Sequence, residues 1–181
     1  MIFSELMATK PLLTMLQLLP LVTGLVLIKV RGHAAIALAG IMSLAQMFLA
    51  MGLYQQFDIH QPAGVMQFAE NVPLWGAFHY HAAVDGIGVM FVLLTSLISL
   101  LSVAFVLVRR LHESSILAVM MMIQAVVTSQ FVTVDLLWFT TMSFLEVVLV
   151  GYLTKRWPTF HDIQPTLARY LQFMVVGLLL M

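Results

Sequence analysis

The 181-residue chain has no cysteine, and only 9% of its residues are charged. Without cysteine there are no disulfides, no thiolate metal sites and no Cys-ligated iron–sulfur clusters, so any redox centre working with this protein belongs to another chain. With so little charge the chain cannot cover a soluble globule with polar surface. Lys and Arg number 8, as do Asp and Glu, and the cations come in ones and twos, which leaves no basic patch for nucleic acid. The opening MIFSELMATKPLLTMLQLLPLVTGLVLI lacks a basic n-region followed by a small-residue cleavage site. It therefore reads as a retained first span rather than a signal peptide, with Pro20 as a candidate kink. Internal repeats, low-complexity linkers and domain boundaries are also missing, so residues 1–181 are expected to form a single transmembrane domain.

What the chain does have is apolar length: 62% of its residues are hydrophobic, and the mean hydropathy is +1.04. About 20 apolar residues cross a bilayer as a helix. Spans are expected near 11–28, 34–54, 87–108, 115–133 and 136–153, with a sixth beginning near 166. The predicted fold is an all-α, polytopic transmembrane helix bundle of five complete spans plus a sixth that looks truncated, as in the front of a longer protein. Lys29 and Arg31 follow span one, Arg109 and Arg110 follow span three, and Lys155, Arg156 and Arg169 flank the start of span six. The positive-inside rule assigns that side to the cytoplasm and puts the N-terminus and the 55–86 loop outside. Lys10 is the exception, close enough to a helix end to snorkel. The expected location is a bacterial inner membrane. The external loop carries Trp75, Phe78 and Tyr80 near its end, aromatics suited to a membrane interface. Spans four and five should form a tight antiparallel hairpin, with Asp135 or Thr133 capping the fifth helix.

Glu146 is the leading functional candidate, because it stands inside the apolar stretch LLWFTTMSFLEVVLVGYL. Insertion scales price a charged residue at a helix centre at roughly +2.5 to +3.5 kcal/mol, so an ionisable group there points to proton or ion handling. A rise of 1.5 Å per residue puts it roughly 16 Å from Asp135 and about 10 Å from Leu153, inside the hydrocarbon. Met142, Ser143, Leu149 and Val150 flank it at one-turn spacing. That face offers one hydroxyl and no cation, so a partner must come from another helix, another chain or water. Burial and a moving cation would push its proton affinity in opposite directions, which is the physical content of a relay. The alternative is a structural Glu that pins two helices together.

Thr95, Ser96, Ser99 and Ser102 in span three and Gln124, Thr128 and Ser129 in span four could line a hydrated path or simply pack helices. Asp135 and Ser143 belong with them. His79 and His81 lie near His60, Glu70 and Asp85, but the spacing matches no strong metal signature. A b-type haem takes histidines facing each other within two spans, whereas His33 and His112 sit at helix ends. Neither a metal nor a cofactor is expected in this chain.

Residues 68–108, FAENVPLWGAFHYHAAVDGIGVMFVLLTSLISLLSVAFVLV, resemble the stretch leading into the third helix of subunit M (chain 4 type) of the proton-pumping NADH–quinone oxidoreductase, complex I. The likeness centres on Tyr80-His81, on Val84-Asp85-Gly86-Ile87 and on the following LLTSL. Asp135-Leu136-Leu137 opening a helix, then Glu146-x-x-Leu149-Val150, is similar to that family's fifth helix, whose Glu belongs to the proton-translocating core. The superfamily includes subunits of multi-subunit cation–proton antiporters and of membrane-bound hydrogenases. The resemblance implies His81, Asp85 and Gly86 as motif residues and Glu146 as proton relay. NADH, FMN, iron–sulfur clusters and quinone would then belong to partner subunits. It implies other membrane subunits as partners, protons as the transported species and quinone only as an indirect partner. Three functions follow: a proton-translocating subunit, a structural or split subunit that completes no proton path, and an ion/proton antiporter module.

Overall fold

A computed structural model of the chain describes residues 11–62, 64–75, 78–109, 114–157 and 163–180. Six helices and one β-hairpin account for most of them. The helices are α1 (Leu12–Leu27), α2 (His33–Gln56), α3 (Gly86–Val108), α4 (Ser114–Val132), α5 (Leu136–Arg156) and α6 (Ile163–Leu180). Each lies within a few residues of an expected span, because an uninterrupted apolar run offers the backbone no way to satisfy itself except helix. α2, α3, α4 and α5 are long and apolar enough to cross a membrane, while α1 is apolar but has 16 residues. The outward surfaces suit such a solvent: Phe48, Ile41 and Leu101 are 71%, 64% and 60% exposed in mid-helix. Lys10, Arg110 and His112, and the side chains of Trp75, Phe78 and His79, lie outside the described residues.

The architecture is not purely α. Between α2 and α3 the expected loop folds into two antiparallel strands, β1 (Gln67–Trp75) and β2 (Phe78–Val84), pairing Glu70 with Ala82 and Asn71 with His81. The register slips between Gln67 and Glu70, and Phe68 there adopts φ 56°, a left-handed conformation that few side chains tolerate. Its ring packs against the apolar core, which holds the bulge in place.

α4 is the hub. It packs against α1, α2, α3 and α5, and 56% of its apolar stretch is buried against 17% for α5. α1 approaches it closely at Gly24, where a Cβ would meet Met122 Cγ at 2.8 Å and the Ala118 carbonyl at 3.0 Å, so only glycine fits. Pro20 sits buried in α1 and leaves the Leu16 carbonyl without its usual donor. Gln46 of α2 supplies one instead, donating Nε2–H to the Leu16 oxygen at 2.8 Å. The break in one helix thus becomes a tie to the next.

Among the described residues the core has two apolar clusters separated by a polar layer. One gathers Leu12, Leu13, Leu16, Leu53, Val89, Val92 and Val132 with Tyr80 and Val84 of β2. The other gathers Leu27, Ala35, Ala39, Val103, Leu117 and Met121. Between them along the helices stand the buried polar side chains: Thr23 on α1, Ser43 and Gln46 on α2, Ser96 on α3, and Gln124, Thr128 and Ser129 on α4.

Candidate functional site

The hairpin determines which helix ends stay together. α1 is preceded by Pro11 at the N-cap position, which has no side chain able to cap it. Glu70 of β1 provides the cap: Oε1 accepts from Leu13 N–H at 2.8 Å, and Oε2 accepts from Thr14 N–H at 3.0 Å and from the Thr14 hydroxyl at 2.6 Å. A carboxylate at a helix N-terminus meets both the free N–H groups and the positive end of the helix dipole. Tyr80 of β2 accepts a hydrogen bond from Gln17 Nε2 of α1. Its ring stands edge-on to Trp138 of α5, with centroids 5.3 Å apart and planes at 67°. Trp138 Nε1–H in turn donates to the Ser129 hydroxyl of α4 at 2.9 Å. The α4–α5 turn joins the hairpin through Val134 N–H, which donates to the His81 carbonyl at 3.1 Å.

Tyr80, expected among the interfacial aromatics of the loop, is instead packed inside the protein. It is 5% exposed, enclosed by α1, α5 and its own strand. Burial pushes its hydroxyl up to about 12, the Gln17 hydrogen bond pulls the other way, and the Glu70 carboxylate adds to the rise.

Two of the sequence candidates cap helices. Asp85 accepts from Gly88 N–H at 2.7 Å and opens α3; Asp135 accepts from Leu137 N–H at 3.0 Å and opens α5. Gly88 is required there, since a Cβ would lie 2.9 Å from Asp85 Oδ1 and 3.1 Å from the Phe131 carbonyl. Gly86 is the first residue of α3 and faces Phe57 at ordinary contact distance. His81 lies on β2 with its carbonyl engaged by Val134. With Glu70 on α1 and Asp85 on α3, these groups do not converge, and among the described residues no three His, Asp or Glu side chains meet as a metal site.

Glu146 is half-buried on α5. Its Oε2 accepts from Gln130 Nε2 of α4 at 2.8 Å. Side chains lean toward the N-terminus of their own helix, so in an antiparallel pair Gln130 and Glu146 lean toward each other. That is how residues unequally distant from the α4–α5 turn come to meet. Ser143, one turn before Glu146, is buried with Val147 and Gly151 on the narrow packed stripe of α5.

Gln124 and Thr128 are buried one turn apart on α4, on a stripe that Gln130 does not share. Neither is bonded to Glu146. Gln124 Nε2, Thr128 Oγ1 and Gln46 Oε1 have no hydrogen-bond partner among the described residues. The span-three hydroxyls mostly turn back on their own helix, Thr95 to the Phe91 carbonyl, Ser96 to Val92 and Ser102 to Ile98. Thr95, Ser99, Ser102 and Gln124 nevertheless line one cleft of about 500 Å³ between α3, α4 and α5. Val150 and Leu153 form its α5 wall. Glu146 precedes them at i, i+4 and i+7 on the same stripe.

No protein-family model matches this chain, and no curated protein matches it at a significant level.

Proposed function

We propose that the chain is an integral membrane, proton-translocating subunit of a complex I-type NADH–quinone oxidoreductase, with Glu146 as its relay and Gln130 as the relay's partner. The observation that carries this reading is a half-buried carboxylate at mid-span held by a neutral amide. A cation would lock Glu146 in its charged form. An amide satisfies both forms: its NH2 donates to the carboxylate, and after rotation its carbonyl accepts from the protonated acid. The unmet hydrogen-bonding capacity of the polar layer gives water a foothold at similar height. Redox chemistry would lie in partner subunits.

The proposed orientation puts the hairpin outside and the opposite end in the cytoplasm. Lys29, Arg31, Arg109, Lys155 and Arg156 all stand at that opposite end, and Asp58, Glu70, Asp85 and Asp135 at the hairpin end, which suits the positive-inside rule.

The bond to Gln130 also favours a second reading, in which Glu146 pins α5 to α4. Two substitutions separate them in the assembled, reconstituted complex. Glu146→Gln keeps a hydrogen bond to Gln130 and removes ionisation, whereas Glu146→Leu removes both. A relay predicts that Glu146→Gln assembles normally and lowers proton pumping about tenfold or more. Normal pumping by Glu146→Gln, with assembly lost only in Glu146→Leu, would establish the pin and overturn the relay.

A further inference from the structure

We propose that the groove between α3, α4 and α5 is a binding site for one anionic phospholipid, its phosphate held at the mouth by Arg109 and Arg156 and one acyl chain laid along the groove.

The 500 Å³ cleft continues toward the basic end into a second hollow of about 450 Å³, lined by Phe105, Ile116, Met120, Leu153 and Trp157. Met120 and Leu153 line both, and a smaller hollow at Ile98, Ser102 and Phe105 bridges them. They form one furrow. From Phe91 to Phe105 it follows α3 for about 21 Å, which exceeds the roughly 15 Å depth of one leaflet. Its lining is mostly apolar, and Thr95 and Ser102 direct their hydroxyls to their own backbone, which leaves the buried Gln124 amide at the deep end as the lining group with an unpartnered donor.

The mouth supplies the charge. Arg109 sits over the Phe105 ring at 5.4 Å and Arg156 over the Trp157 ring at 5.5 Å, and both rings line the lower hollow. Two guanidiniums are thus parked on the aromatic rim of an apolar furrow. Lys155 stands exposed beside them. Among the described residues no Asp or Glu lies at this end. Fixed cations over an apolar furrow at a membrane surface match an anionic headgroup followed by an acyl chain. A neutral amphiphile such as a quinone offers these two guanidiniums no charge to pair with, whereas a phosphate does. The inference rests on membrane insertion and not on the proton relay.

The test uses the full chain in vesicles of phosphatidylcholine containing phosphatidylglycerol, with a photoreactive benzoylphenylalanine in place of Ile98, which lines the furrow and is exposed. Mass spectrometry reads the adduct. A phosphatidylglycerol adduct is expected, enriched over its share of the bilayer and reduced about tenfold or more by Arg109→Gln with Arg156→Gln. Ser102→Phe, which fills the furrow and spares both arginines, should abolish the adduct while helix content by circular dichroism stays unchanged. Equal labelling of the two lipids, or enrichment that survives the double substitution, overturns the proposal. So does an adduct to a polypeptide or a quinone from native membranes.

Discussion

The two ends of the bundle are held by different means. At the hairpin end, strands and helix termini are cross-connected: Glu70 caps α1, Tyr80 bonds to Gln17, and the α4–α5 turn donates to His81. At the basic end the described core residues Leu27, Ala35, Val103 and Leu117 meet through apolar packing, and the described cations are exposed. Directional bonds fix one end in a single arrangement, whereas dispersion and shape leave the other able to yield to an occupant. The hairpin end specifies how the helix termini are arranged.

The strongest challenge to that contrast is Glu70→Ala. It strips α1 of three acceptor contacts to a charged group, and it should cost about 2–4 kcal/mol of unfolding free energy measured by steric trapping in bicelles. A loss no larger than that of an exposed surface substitution would remove the hairpin's organising role. Next comes Gln46→Leu, which leaves the Leu16 carbonyl unpaired beside Pro20 and should cost about 1–3 kcal/mol in the same assay. Tyr80 supplies a pH test. Its folded value, about 12, lies above the unfolded 10.0, so its contribution is fully present below the unfolded value and is lost as pH rises toward the folded one. Tyrosinate absorbance should show one residue titrating late, and Tyr80→Phe should abolish that phase. Smallest of all, Lys29→Gln at the basic end should change stability by less than about 0.5 kcal/mol.

How much of this was legible in the sequence depends on whether a feature is set locally. The helices follow from apolar runs, and the cap of α5 from Asp135 just before its run. The hairpin was not legible, because its residues read as a polar loop and its function lies in contacts with α1 more than 50 positions away. Gln130 was missed for a different reason. Equal counting from the α4–α5 turn puts Met122 opposite Glu146, and only the converging lean of the two side chains brings Gln130 there instead. A glutamine near the end of a span facing a helix with a buried acid was the one available signal. Asp135 was legible as a cap, whereas Asp85 was read only as a motif residue and its capping of α3 emerged from the structure. Asp85 has a structural task, capping α3 at Gly88, where the chain passes close to the Phe131 carbonyl of α4.

The polar layer has its own consequence for leakage. Leu13, Leu16, Leu53 and Val92 close it on one side, and Leu27, Ala39, Val103 and Leu117 on the other. A proton descending the bundle axis from either face meets hydrocarbon insulation before it meets an acceptor. The interior is thus shut like a capacitor between two dielectric plates, and the proposed relay would have to run along the α4–α5 seam where Glu146 bonds to Gln130.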